Sequence, residues 1–223
     1  MRYFTVLGDL FLVAGVLVSA SNLPAQDTQD KEASASESKG LPPRAAPGDY
    51  QAQAQIGKVT IGAEFMGHSV PTPDAIYDSD DFVVVEVGLF GAAQAPLRVG
   101  LGDFSLRING KKAPSSSQPV ELALKSLKDP SWEPPKSEEK SKTSIGTGGG
   151  NGGDPPPSTP KMPFELRRPM ELRVKKAGMI EGDRTLPQAG LLFFEYHGKA
   201  QGIKSVELIY SGAAGNTTIE LHP

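Results

Sequence analysis

Short segments in which apolar and polar residues alternate recur along the chain from Ile56 to its end. The first runs from Val59 to Phe65 and has the period of two that characterises a strand with one buried face. The next, from Phe82 to Phe90, is apolar on one face and partly apolar on the other. Such a segment is typical of a strand at the centre of a sheet.

Further segments of this kind lie on both sides of a long interruption. Before it they cover residues 97–101, 104–108 and 120–124, and after it residues 190–196, 204–210 and 217–221. Asn109-Gly110 predicts a hairpin turn, because both residue types accept a positive φ at low cost. Seven or eight short strands in two groups predict a mainly all-β fold class, an immunoglobulin-like β-sandwich.

Residues 164–178 fit two patterns. Apolar residues at 166, 170, 174 and 177 would share one face of a helix, whereas those at 170, 172 and 174 alternate as in a strand. A proline is tolerated in the first turn of a helix but disrupts its interior. We therefore predict one short helix that begins near Pro169.

The first 25 residues have the organisation of a secretory signal peptide. Arg2 precedes an apolar run from Leu10 to Val18, and small residues follow. Cleavage after Ala20 or Ala25 fits this pattern, and we favour Ala25 because it leaves a polar spacer. An uncleaved membrane anchor is the alternative, but the run is far shorter than the ~20 apolar residues of a spanning helix. We predict an exported protein, periplasmic or secreted, that is soluble after signal cleavage near Ala25.

Two segments lack the apolar residues that a packed core requires. Residues 26–49 consist mostly of small, charged and proline residues, which predicts a disordered tether. Residues 128–163 combine a charged stretch, a glycine-rich run and three consecutive prolines, which predicts a disordered Gly/Pro-rich insert. The β-sandwich domain would then span residues 50–223, interrupted by this insert.

Composition narrows the possible functions. The chain has 223 residues, no cysteine and a formal net charge of −3. The lack of cysteine excludes disulfides, thiolate metal sites, thiol catalysis and a lipid-modified cysteine at the cleavage site. Nucleic-acid binding usually requires a clearly basic domain, so this small acidic charge argues against it.

Four segments carry a family resemblance. Asp80–Val87 is a hydrophobic strand, Asp103–Gly110 contains an Asp-Phe pair, Gly190–Glu195 has a Gly-x-x-Phe pattern, and Val206–Tyr210 closes the series. Together they resemble bacterial secreted immunoglobulin-like β-sandwich domains of unknown function, over about residues 56–221 without the insert. The resemblance implies a fold and brings no catalytic residues. The long insert, and Gly91 where such domains often have Asn, depart from the pattern.

The candidates for chemistry are few. Asp78, Asp80 and Asp81 form a candidate calcium site, because carboxylate oxygens are the ligands that Ca²⁺ prefers, although the Gly and Glu of an EF-type loop are missing. The alternative interpretation is a solvated turn. The glycine-rich run lacks the Gly-Lys-Ser/Thr ending of a phosphate-binding loop. We expect no cofactor.

Catalysis would have to use His68, His197 or His222. None of these histidines has a metal-binding spacing, and the chain has no Gly-x-Ser-x-Gly motif. We therefore predict no catalytic residue, although a triad assembled in space stays open.

Two features are candidates for interaction with a partner. Trp132 is the only tryptophan, and it would either pack on the domain edge or contact a partner. A basic cluster would either contact a partner or form the solvated face of a helix, and it comprises Arg167, Arg168, Arg173, Lys175 and Lys176. The expected partner is a protein or a cell-wall polymer. We expect no nucleic acid and no peripheral membrane contact.

These features predict an exported binding or structural module of the cell envelope without catalysis, which acts through sheet edges and loops. A hydrolase or metal-dependent enzyme on the same scaffold is one alternative, and a soluble partner subunit of a membrane complex is another. A histidine beside Asp or Glu in a pocket would favour the enzyme. An apolar groove or a bare sheet edge would favour binding.

Overall fold

The computed structural model describes residues 40–134 and 162–223. The predicted signal peptide, the first part of the predicted tether and most of the predicted insert lie outside the described residues. Within these ranges the strands are, in chain order, β1 (Ala52–Ile56), β2 (Val59–Gly67), β3 (Ser69–Pro71), β4 (Ile76–Ser79), β5 (Phe82–Phe90), β6 (Pro96–Val99), β7 (Phe104–Ile108), β8 (Ser115–Ser116), β9 (Leu127–Lys128), β10 (Gly182–Thr185), β11 (Gln188–Glu195), β12 (Val206–Gly212) and β13 (Gly215–Leu221). The α-helices are α1 (Val120–Ala123) and α2 (Phe164–Ala177). The prediction of a mainly β fold is confirmed.

The central sheet is antiparallel and has the strand order β1-β2-β5-β11. β5 has neighbours on both sides, and its residues are buried from Phe82 to Leu89. The prediction of a central strand at this position is therefore confirmed. Its apolar character on both faces is explained by the two layers that cover the sheet.

A second antiparallel sheet, with the order β13-β12-β7-β8, covers one face of the central sheet. Side chains from both sheets form the larger core, which includes Val85, Leu192 and Phe194 from one sheet and Phe104 and Leu208 from the other. The predicted turn after β7 is also present, because Asn109 and Gly110 have φ values of 54° and 64°.

The opposite face of the central sheet is covered by α2, whose residues Met170, Val174 and Ala177 are buried against Val84 and Phe193. The helix begins at Phe164, five residues before the predicted start at Pro169. Pro169 is exposed to solvent. Burial of the three apolar residues that follow it offsets the hydrogen bond that proline cannot donate.

The segment predicted as a strand at residues 120–124 is instead the helix α1 followed by a short 3-10 helix, Leu124–Ser126. Alternation at positions 120, 122 and 124 does not define one buried face, because Leu122 is 42% exposed. The residues that enter the second core are the adjacent pair Ala123 and Leu124. A helical turn places both of them inward, which a strand would not do.

Residues 40–49, the described part of the predicted tether, lie against the central sheet. The Gly40 N–H donates to the Lys176 carbonyl over 2.7 Å, and Leu41 forms a β-bridge with Ala189. The packed domain therefore begins by Gly40 and not at Tyr50.

Two small sheets complete the described structure: β3-β4-β9, and the pair β10-β6. Lys128, the first residue of the predicted insert, pairs with Asp78 in the first of them. In the part of the chain that the structure describes, no helix is long and apolar enough to cross a membrane.

Candidate functional site

A mostly apolar groove of about 380 Å³ lies beside the outer edge of β11. Its floor is formed by the strand itself, and its walls come from α1, the C-terminal half of α2 and the residues after α2. The apolar residues that line this groove, called the apolar groove below, are Leu101, Val120, Leu172, Met179, Ile180, Leu191 and Phe193.

Two backbone segments that dock on β11 create this groove. The Met179 N–H donates to the Leu191 carbonyl over 2.9 Å, and the Gln118 N–H donates to the Phe193 carbonyl over 2.7 Å. The close approach of the first segment requires a glycine, because a Cβ on Gly190 would lie 2.5 Å from the Met179 Cα. Residues of both segments line the groove, Gln118 from one and Gly178 and Met179 from the other.

Charged side chains surround the apolar groove. Lys175 and Lys176 lie on the α2 side, and Glu121 and Glu181 also line it. Glu181 is partly engaged, since its Oε1 accepts a hydrogen bond from the Leu101 N–H over 2.9 Å. An apolar centre inside a charged rim is the usual arrangement of a protein-binding surface.

The structure divides the predicted basic cluster into two parts. Arg167 pairs with Glu171 at 2.6 Å, and Arg173 contacts Asp74 at 3.4 Å and the Tyr77 hydroxyl at 3.1 Å. Among the described residues no carboxylate pairs with the other three cations, Arg168, Lys175 and Lys176. Within the described residues, these three are therefore the members of the cluster that a carboxylate of a partner could pair with directly.

A second, polar groove of about 710 Å³ contains His197. Nδ1 of His197 lies 3.1 Å from Asp81 Oδ1, and Nε2 lies 2.9 Å from Glu195 Oε1. The remaining lining residues of this polar groove are Lys111, Ser115, Ser116, Gln118, Tyr196 and Gly198. Because both ring nitrogens already face carboxylates, neither is free to take a proton from a substrate in this conformation.

The two carboxylates beside His197 predict that the stability of the folded state depends on pH. Hydrogen bonds to Glu195 and then to Asp81 raise the pKa of His197 above its ordinary value of 6.5. The stabilisation that these hydrogen bonds give the folded state is fully present below the pKa that His197 has in the unfolded chain. It is lost as the pH rises through the raised pKa of the folded state. NMR titration of the ring should therefore give a pKa above 6.5, and Glu195→Gln should lower it. An equal pKa in wild type and variant would contradict this assignment.

His68 contacts the loop after β11, which also contributes to the polar groove. Its Nδ1 lies 2.8 Å from the Ser79 carbonyl and 2.9 Å from the Phe82 carbonyl, and its Nε2 lies 2.9 Å from the Gly198 carbonyl. These contacts tie the loop after β11 to the turn before β5. His68 is therefore a structural residue whose nitrogens are both occupied.

The candidate calcium ligands are not brought together. Asp80 pairs with Lys128, Asp81 contacts His197, and Asp78 accepts a hydrogen bond from Ser69 at 3.5 Å. Within residues 40–134 and 162–223, no group of three or more His, Asp or Glu side chains could hold a metal ion. The other interaction candidate, Trp132, is half-buried in a turn after β9.

One charged cluster was not predicted from the sequence. Arg44 bonds to both oxygens of Glu86, at 3.1 and 2.7 Å, and also pairs with Glu64. Its guanidinium lies 4.5 Å from the centre of the Tyr50 ring. The bond to Glu86 raises the pKa of Arg44 further above its ordinary value, and burial raises the pKa of Tyr50. Glu86 is an acidic residue inside an apolar strand, which is the signal that points to such a buried partner.

Comparisons with known proteins add little. No family model matches the sequence, and no curated protein matches it. A solved structure from Bacillus subtilis, described as a putative lipoprotein (ycdA), is similar with a TM-score of 0.34 and 13% identity over 76% of this chain. The alignment covers 38% of that protein. A TM-score of this size does not establish a shared fold, so the resemblance to secreted immunoglobulin-like domains stays a prediction.

Proposed function

We propose that this chain is an exported, non-catalytic binding module of the cell envelope and that the apolar groove is its partner site. The observation that carries the proposal is the groove itself, which combines an apolar floor and walls with a charged rim. Apolar concave surfaces with a few polar groups are the usual ligand sites of proteins. The signal-peptide pattern of residues 1–25 supports export.

The enzyme alternative rests on the polar groove, where His197 lies beside two carboxylates and Ser115 and Ser116 line the same surface. A serine hydrolase needs a ring nitrogen that accepts the proton of the serine hydroxyl. In the described residues no hydrogen bond joins His197 to either serine, and its nitrogens contact Asp81 and Glu195. We therefore favour binding over catalysis. A soluble subunit of a membrane complex would use the same apolar groove.

The lack of cysteine allows a site-specific test. Leu172→Cys, labelled with a benzophenone maleimide, places a single photo-crosslinker at the groove, since Leu172 is 51% exposed. In the intact envelope fraction of the source organism, this probe should give a discrete adduct that unlabelled wild-type protein competes away. Unlabelled Val120→Glu protein, with a charge in the groove, should not compete.

The matched control carries the same label at Asn216→Cys, an exposed position on β13. This probe should give no such adduct. If both probes give the same adducts, or neither gives one, the groove is not a partner site and the proposal fails.

A further inference from the structure

We infer that the partner presents an acidic polypeptide segment, which places an apolar side chain in the groove and its carboxylates against α2. This inference rests on the proposed function, because it names the partner of the same site. Three cations have no carboxylate partner among the described residues: Arg168, Lys175 and Lys176.

These cations share one stripe of α2 with an exposed leucine. Arg168, Leu172 and Lys176 are spaced four residues apart, and Lys175 follows Leu172 by three, so all four lie on one side of the helix. Leu172, Lys175 and Lys176 also line the apolar groove. A ligand in the groove would therefore meet apolar surface and positive charge together.

The rim of the groove is positive on the α2 side and negative at Glu121, so the two charges favour one orientation of the ligand. Glu121 lies in α1, across the groove from the α2 stripe. A segment that is acidic on every side would be repelled there, whereas one with carboxylates on its α2 side would gain attraction without that cost. Removing the Glu121 charge should then tighten binding.

The shape of the surface favours a polypeptide over a bilayer. The floor residues Leu191 and Phe193 are each 1% exposed and lie at the bottom of a recess. Among the lining residues, Leu172 protrudes and is 51% exposed. A membrane-binding surface needs several apolar side chains that protrude into the headgroup region, whereas a recess beside one such side chain fits a polypeptide partner.

Side chains, and not added strand pairing, would carry the recognition. The outer edge of β11 is already bridged at Ala189, Leu191 and Phe193 by Leu41, Gly178 and Gln118. An incoming strand would have to displace these bridges before it could pair. The expected affinity is therefore sensitive to the charges on α2 and to salt.

The test uses the 15N-labelled full chain and three soluble 12-residue peptides. All three contain one Phe and one Leu at fixed positions. Four positions on one side carry Glu in the first peptide, Gln in the second and Lys in the third, and every other position is Gln. NMR titration at ~0.15 M salt should show tightest binding for the Glu peptide, with shifts at Val120, Leu172 and Met179. Anionic phosphatidylglycerol vesicles form a fourth arm.

Charge variants separate specific contacts from general attraction. Lys175→Glu with Lys176→Glu should weaken binding of the Glu peptide about tenfold. The matched control, Lys58→Glu with Lys204→Glu, makes the same change in net charge at two exposed lysines that do not line the groove. It should weaken binding less than twofold at ~0.15 M salt, where charges beyond ~8 Å are screened. Glu121→Gln should tighten binding by up to about threefold.

The inference is overturned if no peptide binds, if the Lys or Gln peptide binds as tightly as the Glu peptide, or if vesicles bind and peptides do not. It is also overturned if both double variants have the same effect. Its failure differs from that of the proposed function. A crosslinked adduct at Leu172 without preference for the Glu peptide removes only the acidic partner, whereas the absence of an adduct removes the binding site.

Discussion

Replacing Arg44 by alanine should lower the free energy of unfolding by about 2–3 kcal/mol. Glu64 and Glu86 are directly opposite each other on β2 and β5, and Arg44 pairs with both carboxylates. Without Arg44, two like charges remain side by side. Only 11% of the Glu86 side chain is exposed, so water screens its charge poorly. Because Arg44 itself is 30% exposed, the expected loss is below the ~3–5 kcal/mol of a fully buried pair.

Urea denaturation followed by circular dichroism measures this loss. Arg107→Ala is the matched control, because the pair Arg107–Glu207 also has a short contact of 2.6 Å. It involves one carboxylate, which is 30% exposed, so its loss should cost about 1 kcal/mol or less. Adding Glu86→Gln to the Arg44→Ala variant should restore part of the stability, since it removes one of the opposed charges. Equal losses for the two arginine variants would show that Arg44 contributes no more than a single, more exposed ion pair.

Gly190→Ala should destabilise the domain by about 3 kcal/mol, at the upper end of overpacking effects. The added Cβ would lie 2.5 Å from the Met179 Cα and 2.7 Å from the Met179 nitrogen. Both are backbone atoms, so no side-chain rotation relieves the contact. The segment that carries Met179 must move away from β11, which also opens one wall of the apolar groove.

Gly102→Ala is the control for this substitution, because nothing lies within 4 Å of the position where its Cβ would be. Its effect should stay within about 0.5 kcal/mol. Chemical unfolding gives both values, and 15N chemical shifts of residues 178–181 report the local movement. A Gly190→Ala protein as stable as wild type, with unchanged shifts there, would mean that the close approach is not required.

The sequence predicts those parts of the fold that depend on local pattern. The central position of β5 follows from its two apolar faces, and the turn at Asn109-Gly110 follows from residue types that accept positive φ. The pattern fails at residues 120–124, where tertiary contacts of Ala123 and Leu124 decide in favour of a helix. It also places the start of α2 too late, because burial of the apolar residues that follow Pro169 offsets the hydrogen bond that proline cannot donate.

The candidate sites depend on contacts between residues that are distant in sequence. Arg44 and Glu86 are 42 residues apart, and Asp81 and His197 are 116 residues apart. The composition of residues 26–49 resembles a tether, so Arg44 could not be recognised as a partner of Glu86. The basic residues of α2 could be named, but their division into paired and unpaired cations requires the positions of Asp74, Tyr77 and Glu171.

The bridges along the outer edge of β11 have a consequence for solubility. β11 is the edge strand of the central sheet, and its residues from Ala189 to Phe194 are buried and almost entirely apolar. An open edge of this composition would be a template for pairing between molecules and for aggregation. Leu41, Gly178 and Gln118 occupy that edge. Residues 40 and 41, at the start of the described chain, therefore cover backbone that would otherwise be open to pairing with a second molecule.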